Sequence, residues 1–159
     1  MSTRVLCLGN DLIADDAFGP VVARRLRELK IPGLEILETP ETGFYLLEYV
    51  LGCKSLVVVD TICSGNAPGT LMEVSESDIR MVHGCSPHCI GIFETLHVAR
   101  RLGLDAPAEV IIVCVEAGDL TEIGAPMTPA VEAAVPKAVE LIAARVRRSH
   151  NPHLAKKAS

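Results

Sequence analysis

Four polar side chains stand where apolar runs give way to turns: the adjacent pair Asp15 and Asp16, then Asp60, then His88. The acidic pair follows Val5–Leu8 and the turn residues Gly9-Asn10-Asp11, Asp60 closes the aliphatic run Leu56–Val59, and His88 follows Ser86-Pro87. Carboxylate oxygens and an imidazole nitrogen, with coordination positions left open, suit a borderline divalent ion such as Zn²⁺ or Ni²⁺. Such an ion polarises a carbonyl or activates a water. Each residue also has a plainer reading. Asp15 and Asp16 can favour the positive end of a following helix, at about 0.3 to 1 kcal/mol each, Asp60 can cap a turn, and His88 can open a helix. The set outweighs its members because three separated segments are expected to meet at one edge of the fold.

The elements that would bring them there follow from the apolar pattern. Strands are expected at Val5–Leu8, Leu34–Leu37, Leu56–Val59 and Val110–Val115, with an added edge strand over Thr70–Val74. Helices are expected after Gly19-Pro20, over Phe44–Leu51, over Ile90–Leu102 with Gly103 as its stop, and from Thr128-Pro129 along Val131, Val135, Val139, Ile142 and Val146. Pro136 either kinks the last helix or marks a late start. Strand and helix alternate, and the strands read as continuous rather than alternating apolar runs, which implies burial on both faces. The expected fold is a single-domain α/β, doubly wound and mostly parallel sheet with helices on both faces. Ligands of such sheets collect at the C-terminal ends of the strands, where strand order reverses.

Composition narrows the function further. The chain has 159 residues, 49% of them hydrophobic and 22% charged, enough for one domain with a real core. The domain is expected over 1–146, followed by a basic tail, expected to be mobile, over 147–159 that holds His150 and His153. A net charge of −5 offers no field for nucleic acid. The longest wholly apolar run, Val110–Val115, is far short of a membrane span, and the N-terminus shows no secretory h-region, so a cytoplasmic protein is expected. Reduced thiols are the expectation for the six cysteines. His83, Cys85, His88 and Cys89 are too crowded for a familiar structural zinc spacing, and His97 is expected to pack or face solvent in mid-helix. A dinucleotide fingerprint is absent after the first strand, where carboxylates would repel a pyrophosphate. A phosphoacceptor receiver module also places an acidic pair and a strand-end aspartate in this way. It needs a lysine near the last strand, which Val110–Leu120 lacks, and a shorter loop than the one running from Leu8 to Gly19.

The segment Leu8-Gly9-Asn10-Asp11-Leu12-Ile13-Ala14-Asp15-Asp16-Ala17-Phe18-Gly19, with Val57-Val58-Val59-Asp60 and Ser86-Pro87-His88, resembles the nickel-iron hydrogenase maturation proteases. Asn66-Ala67-Pro68-Gly69-Thr70 and Met127-Thr128-Pro129 extend the likeness to nearly the whole chain before the basic tail. The resemblance implies an α/β endopeptidase that removes the C-terminal extension of a hydrogenase large-subunit precursor once nickel has been inserted. It also implies that Asp16, Asp60 and His88 engage that nickel, which the substrate supplies, with no obligatory cofactor of the protease itself. A non-proteolytic nickel-binding chaperone of hydrogenase assembly would use the same ligands. Three features depart from the family pattern: Ala17 where glycine is frequent, Glu116-Ala117-Gly118 where proline is common, and Cys85 and Cys89 flanking His88.

Overall fold

The computed structural model describes residues 2–78 and 87–150, and the side chains of 87–90 lie outside that description. Among the described residues five strands form one sheet: β1 (Thr3–Leu8), β2 (Leu34–Thr39), β3 (Ser55–Ile62), β4 (Leu71–Ser75) and β5 (Glu109–Glu116), in the order β2-β1-β3-β5-β4. All neighbours pair in parallel except β4, the added edge strand, which runs antiparallel to β5. The helices are α1 (Phe18–Glu28), the short α2 (Leu47–Val50), α3 (Pro87–Arg101) and α4 (Pro129–His150).

The pleat divides the core in two, since successive strand residues face opposite sides. Val5, Cys7, Val57, Val59, Val113 and Val115 bury against Phe18, Val22 and Leu26 of α1 and against Val131, Val135, Ile142 and Val146 of α4. Leu6, Leu8, Leu56, Val58, Ile112 and Cys114 bury against Leu46, Val50 of α2, and Ile92 and Leu96 of α3. Both faces are covered, as the continuous apolar strands require.

Several boundaries differ from expectation for identifiable reasons. The expected helix over Phe44–Leu51 is a 3₁₀ turn, Gly43–Leu46, running into the single turn of α2. In α3 the described side chains Ile92, Thr95, Leu96 and Ala99 are buried, the side chain of Ile90 lies outside the description, and His97 is exposed. Gly103, at φ +68°, ends the helix by donating its N–H to Arg100 O, as its position implied. Helix α4 runs without interruption through the exposed Pro136 to His150, while 151–159 lie outside the described residues. No helix among the described residues is long and apolar enough to cross a membrane.

Strand order reverses at β1, which has β2 on one side and β3 on the other. The chain leaving β1 therefore emerges where the crossovers diverge, beside the C-terminal part of β3, in register Cys7 to Val59. Two glycines let the chain fold back there. A Cβ on Gly9, whose φ is +136°, would lie 2.2 Å from Asp16 O, and one on Gly19 would lie 2.1 Å from Leu8 O. Only glycine permits so close an approach of the start of α1 to the end of β1.

Candidate active site

The two acidic neighbours after β1 have separate roles. Asp15 is fully buried, at 0% exposure, within the 3₁₀ turn Ala14–Ala17. Its Oδ2 accepts from Gly118 N and Asp119 N, both at 2.8 Å, and its Oδ1 from Thr128 N at 2.7 Å. The Thr128 hydroxyl lies 3.0 Å from both oxygens. A buried carboxylate so fully supplied with donors is a structural tie. It binds the loop after β1 to the loop after β5 and to the residue that precedes α4. Thr128, expected to open the last helix, thus spends its hydroxyl on Asp15.

Asp16 points elsewhere and is only partly buried. Its Oδ2 accepts from Asn10 N at 2.9 Å, and its own N–H donates to Ile13 O at 2.8 Å. The side chain of Asn10 in turn accepts from Leu12 N at 3.0 Å, an Asx turn that shapes the loop. Ala14, at φ +31°, carries a left-handed backbone without being glycine, so the turn that aims Asp16 holds local strain. Ala17 needs no glycine: at φ −68° it takes an ordinary helical conformation at the start of α1.

Asp60 is not the last residue of its strand, as the sequence suggested, because β3 continues through Thr61 to Ile62. The extension follows from pairing with β5, which runs in register as far as Ile62 with Glu116. Asp60 is buried at 1% exposure, and its Oδ1 accepts from Thr61 N at 2.8 Å. It lies one residue beyond the last β1–β3 register pair, so its strand passes directly beside the point where the Asp16 loop leaves the sheet.

His88 belongs to the first turn of α3 rather than to the loop before it. The described part of that helix packs against the 3₁₀ turn that follows β2. A Cβ on Gly91 would lie 2.7 Å from Gly43 N, just after β2, and the Thr95 hydroxyl donates to Gly43 O at 3.1 Å. The imidazole itself, together with His83, Cys85 and Cys89, lies outside the described residues or side chains. Two of the three expected ligands are thus placed at one edge. Among the described residues no group of three or more acidic, histidine or cysteine side chains gathers as a metal site.

Glu116 is the important carboxylate at this edge that the sequence reading treated only as a departure from a family pattern. It is buried, and accepts from Ser64 N at 2.8 Å, Ser64 Oγ at 2.6 Å and Gly65 N at 3.0 Å. The signal for it was its place at the end of the buried run Val110–Val115, where a carboxylate must find donors. Beside it the exposed Cys63 thiol is raised above its ordinary value by partial burial, then by the charges of Glu116 and Asp15. The fully buried Cys7 is pushed up by burial to about 12.

A doubly wound α/β domain with carboxylates along the C-terminal edge of its sheet is the class of molecule these observations define. The family model for HycI, hydrogenase maturation protease, matches residues 20–145. The hydrogenase 2 maturation protease of Escherichia coli K12 is 32% identical over 155 residues, covering 94% of this chain and 93% of that one. The solved hydrogenase maturating endopeptidase HybD of Escherichia coli superposes with a TM-score of 0.80 at 31% identity, covering 94% of each chain. The [NiFe] hydrogenase maturation protease HybD of Thermococcus kodakarensis gives 0.73 at 29% identity, covering 92% of this chain and 99% of that one. The chain also matches the hydrogenase expression/formation protein HupD of Thiocapsa roseopersicina at 29% identity, spanning 86% of its own length and 64% of that relative's.

The chain belongs to the hydrogenase maturation proteases. It is a hydrolase of the endopeptidase type.

Proposed function

We propose that this endopeptidase removes the C-terminal extension of a [NiFe] hydrogenase large-subunit precursor after nickel insertion, and that the substrate's nickel completes its active site. The observation that carries the reading is the divergence of Asp15 and Asp16. The first is saturated by internal donors, whereas the second is partly open beside the strand that bears Asp60. Asp16, Asp60 and His88 are the ligands that would meet the incoming metal, an oxygen and nitrogen set suited to Ni²⁺. Holding the nickel-bound end of the precursor at this edge presents the adjacent peptide bond to a water, and positioning of this kind supplies a large part of catalysis. Asp16, being partly exposed, is the better placed carboxylate to take a proton from that water. This would be an aspartic-type endopeptidase whose metal arrives with its substrate.

The reading also accounts for specificity without a deep side-chain pocket, since a precursor lacking nickel leaves the ligand set incomplete. The test is the intact mass of a precursor before and after incubation, nickel-loaded and metal-free. A defined C-terminal loss confined to the loaded sample is the expected result. Equal cleavage of both would remove the nickel requirement, and nickel transfer without a change in mass would make the protein a chaperone.

A further inference from the structure

The segment after β1 closes on itself through a ring of hydrogen bonds in which the Asp16 carboxylate is one link. Asn10 N–H donates to Asp16 Oδ2 at 2.9 Å, Asp16 N–H donates to Ile13 O at 2.8 Å, and Ile13 N–H donates to Asn10 O at 3.2 Å. Within the ring lies Ala14, whose φ of +31° is a conformation that a residue with a Cβ keeps only when its surroundings enforce it. On one side the enforcement is backbone, since Asp15 N–H is anchored on Asp119 O at 2.9 Å. On the other it is a side chain. Asn10 Oδ1 accepts from Leu12 N at 3.0 Å and closes the exposed turn over residues 10–13.

The two oxygens of Asp16 are therefore not equivalent. Oδ2 is held by Asn10 N–H, whereas Oδ1 receives no donor among the described residues. Glycine at position 9 keeps the space beside it clear, because a Cβ there would lie 3.3 Å from Oδ1. We propose that Asn10 is a positioning residue for peptide hydrolysis: its backbone N–H holds Oδ2, its side chain locks the turn behind that bond, and Oδ1 is the oxygen presented to the nickel-bound end of the precursor. The proposal rests on the function proposed above, which gives Asp16 its part in the reaction. Asn10 itself touches neither substrate nor metal. Its contribution is preorganisation, since a displacement of about 1 Å at a reacting group costs up to about a hundredfold in rate. The residue type follows from the geometry. A short side chain must carry an acceptor to the N–H two residues on, which Asn and Asp do well, Ser more weakly and Ala not at all.

The test compares Asn10→Ala and Asn10→Asp with wild type, all as the full chain. Asn10→Ala keeps the backbone donor to Asp16 and removes the acceptor for Leu12 N. Because that bond is exposed, Tm should fall by no more than about 4 °C. On nickel-loaded precursor kcat should fall about tenfold or more while KM stays within about threefold, and Asn10→Asp should keep kcat within about threefold of wild type. Amide hydrogen exchange, read by NMR without substrate, should speed up about tenfold in Asn10→Ala at residue 10 as well as at Leu12, and at neither in Asn10→Asp. Acceleration at Leu12 alone, wild-type kcat in Asn10→Ala, or a loss that Asn10→Asp shares would each overturn the positioning role while leaving the protease reading intact. A fall in Tm beyond about 8 °C would likewise overturn it, by making Asn10 a structural residue. Wild-type protein that leaves the loaded precursor intact would defeat the protease reading, and with it the purpose assigned to Asn10.

Discussion

Asp15 and Asp16 are chemically identical neighbours, and the fold treats them in opposite ways. Asp15 lies in the half of the sheet edge where the loops after β1 and β5 are bonded together, and every donor near it is committed. Asp16 lies in the half where β1 and β3 part company from their crossovers, receives the Asn10 N–H, and remains partly open. Glu116 repeats the Asp15 pattern on the other side, holding Ser64 and Gly65. Carboxylates whose acceptor capacity is used up by the protein build the site. Those with capacity left over are the ones able to meet a cation or a water. The difference lies in the environment each side chain is turned toward, since the two residues share one turn of 3₁₀ helix.

The sharpest way to break this comparison is to remove the structural member. Asp15→Ala would strand the buried N–H groups of Gly118, Asp119 and Thr128 at once, and should destabilise the fold by about 3 kcal/mol or more, read by denaturant unfolding. A cost below about 1 kcal/mol would mean that water replaces the carboxylate without penalty. Thr128→Val keeps the shape and the backbone donor but removes the hydroxyl, so its cost should be smaller, about 1 kcal/mol by the same measurement. Combined with Asp15→Ala it should add little, because both act on one network. The smallest effect concerns the thiols, which distinguish the open edge from the core. At pH 8 iodoacetamide should label Cys63 well before Cys7, Cys53 or Cys114, because burial raises Cys7 to about 12 and leaves it almost wholly in the unreactive thiol form. Peptide mapping that found Cys7 modified in step with Cys63 would show that the sheet opens far more often than its packing implies.

Most of the architecture was legible in the sequence because it is driven by burial. Runs such as Val57-Val58-Val59 and Val110–Val115 can satisfy their apolar side chains only between two helical layers, and punctuation by Gly103 and Pro129 limited the helices. Positions decided by pairing rather than by composition were less so. The extension of β3 past Asp60 depends on its register with β5, and the breakup of Phe44–Leu51 into two short turns depends on packing against α3. The sequence placed Asp16 and Asp60 at the C-terminal edge of the sheet, where the structure has them. Which member of Asp15-Asp16 faces inward was not legible, since that depends on Gly118, Asp119 and Thr128, more than a hundred residues away. The resemblance to a known family chose Asp16, and the hydrogen bonds to Asp15 supply a physical reason for that choice.

The division of labour between the two neighbours is tested most directly by Asp16→Asn, measured for thermal stability and for processing of nickel-loaded precursor in the same preparation. Asparagine keeps an acceptor for Asn10 N–H but surrenders the negative charge, so Tm should stay within about 2 °C of wild type while processing falls about a hundredfold or more. Full processing by the variant, or a loss of Tm as large as that expected of Asp15→Ala, would contradict the account.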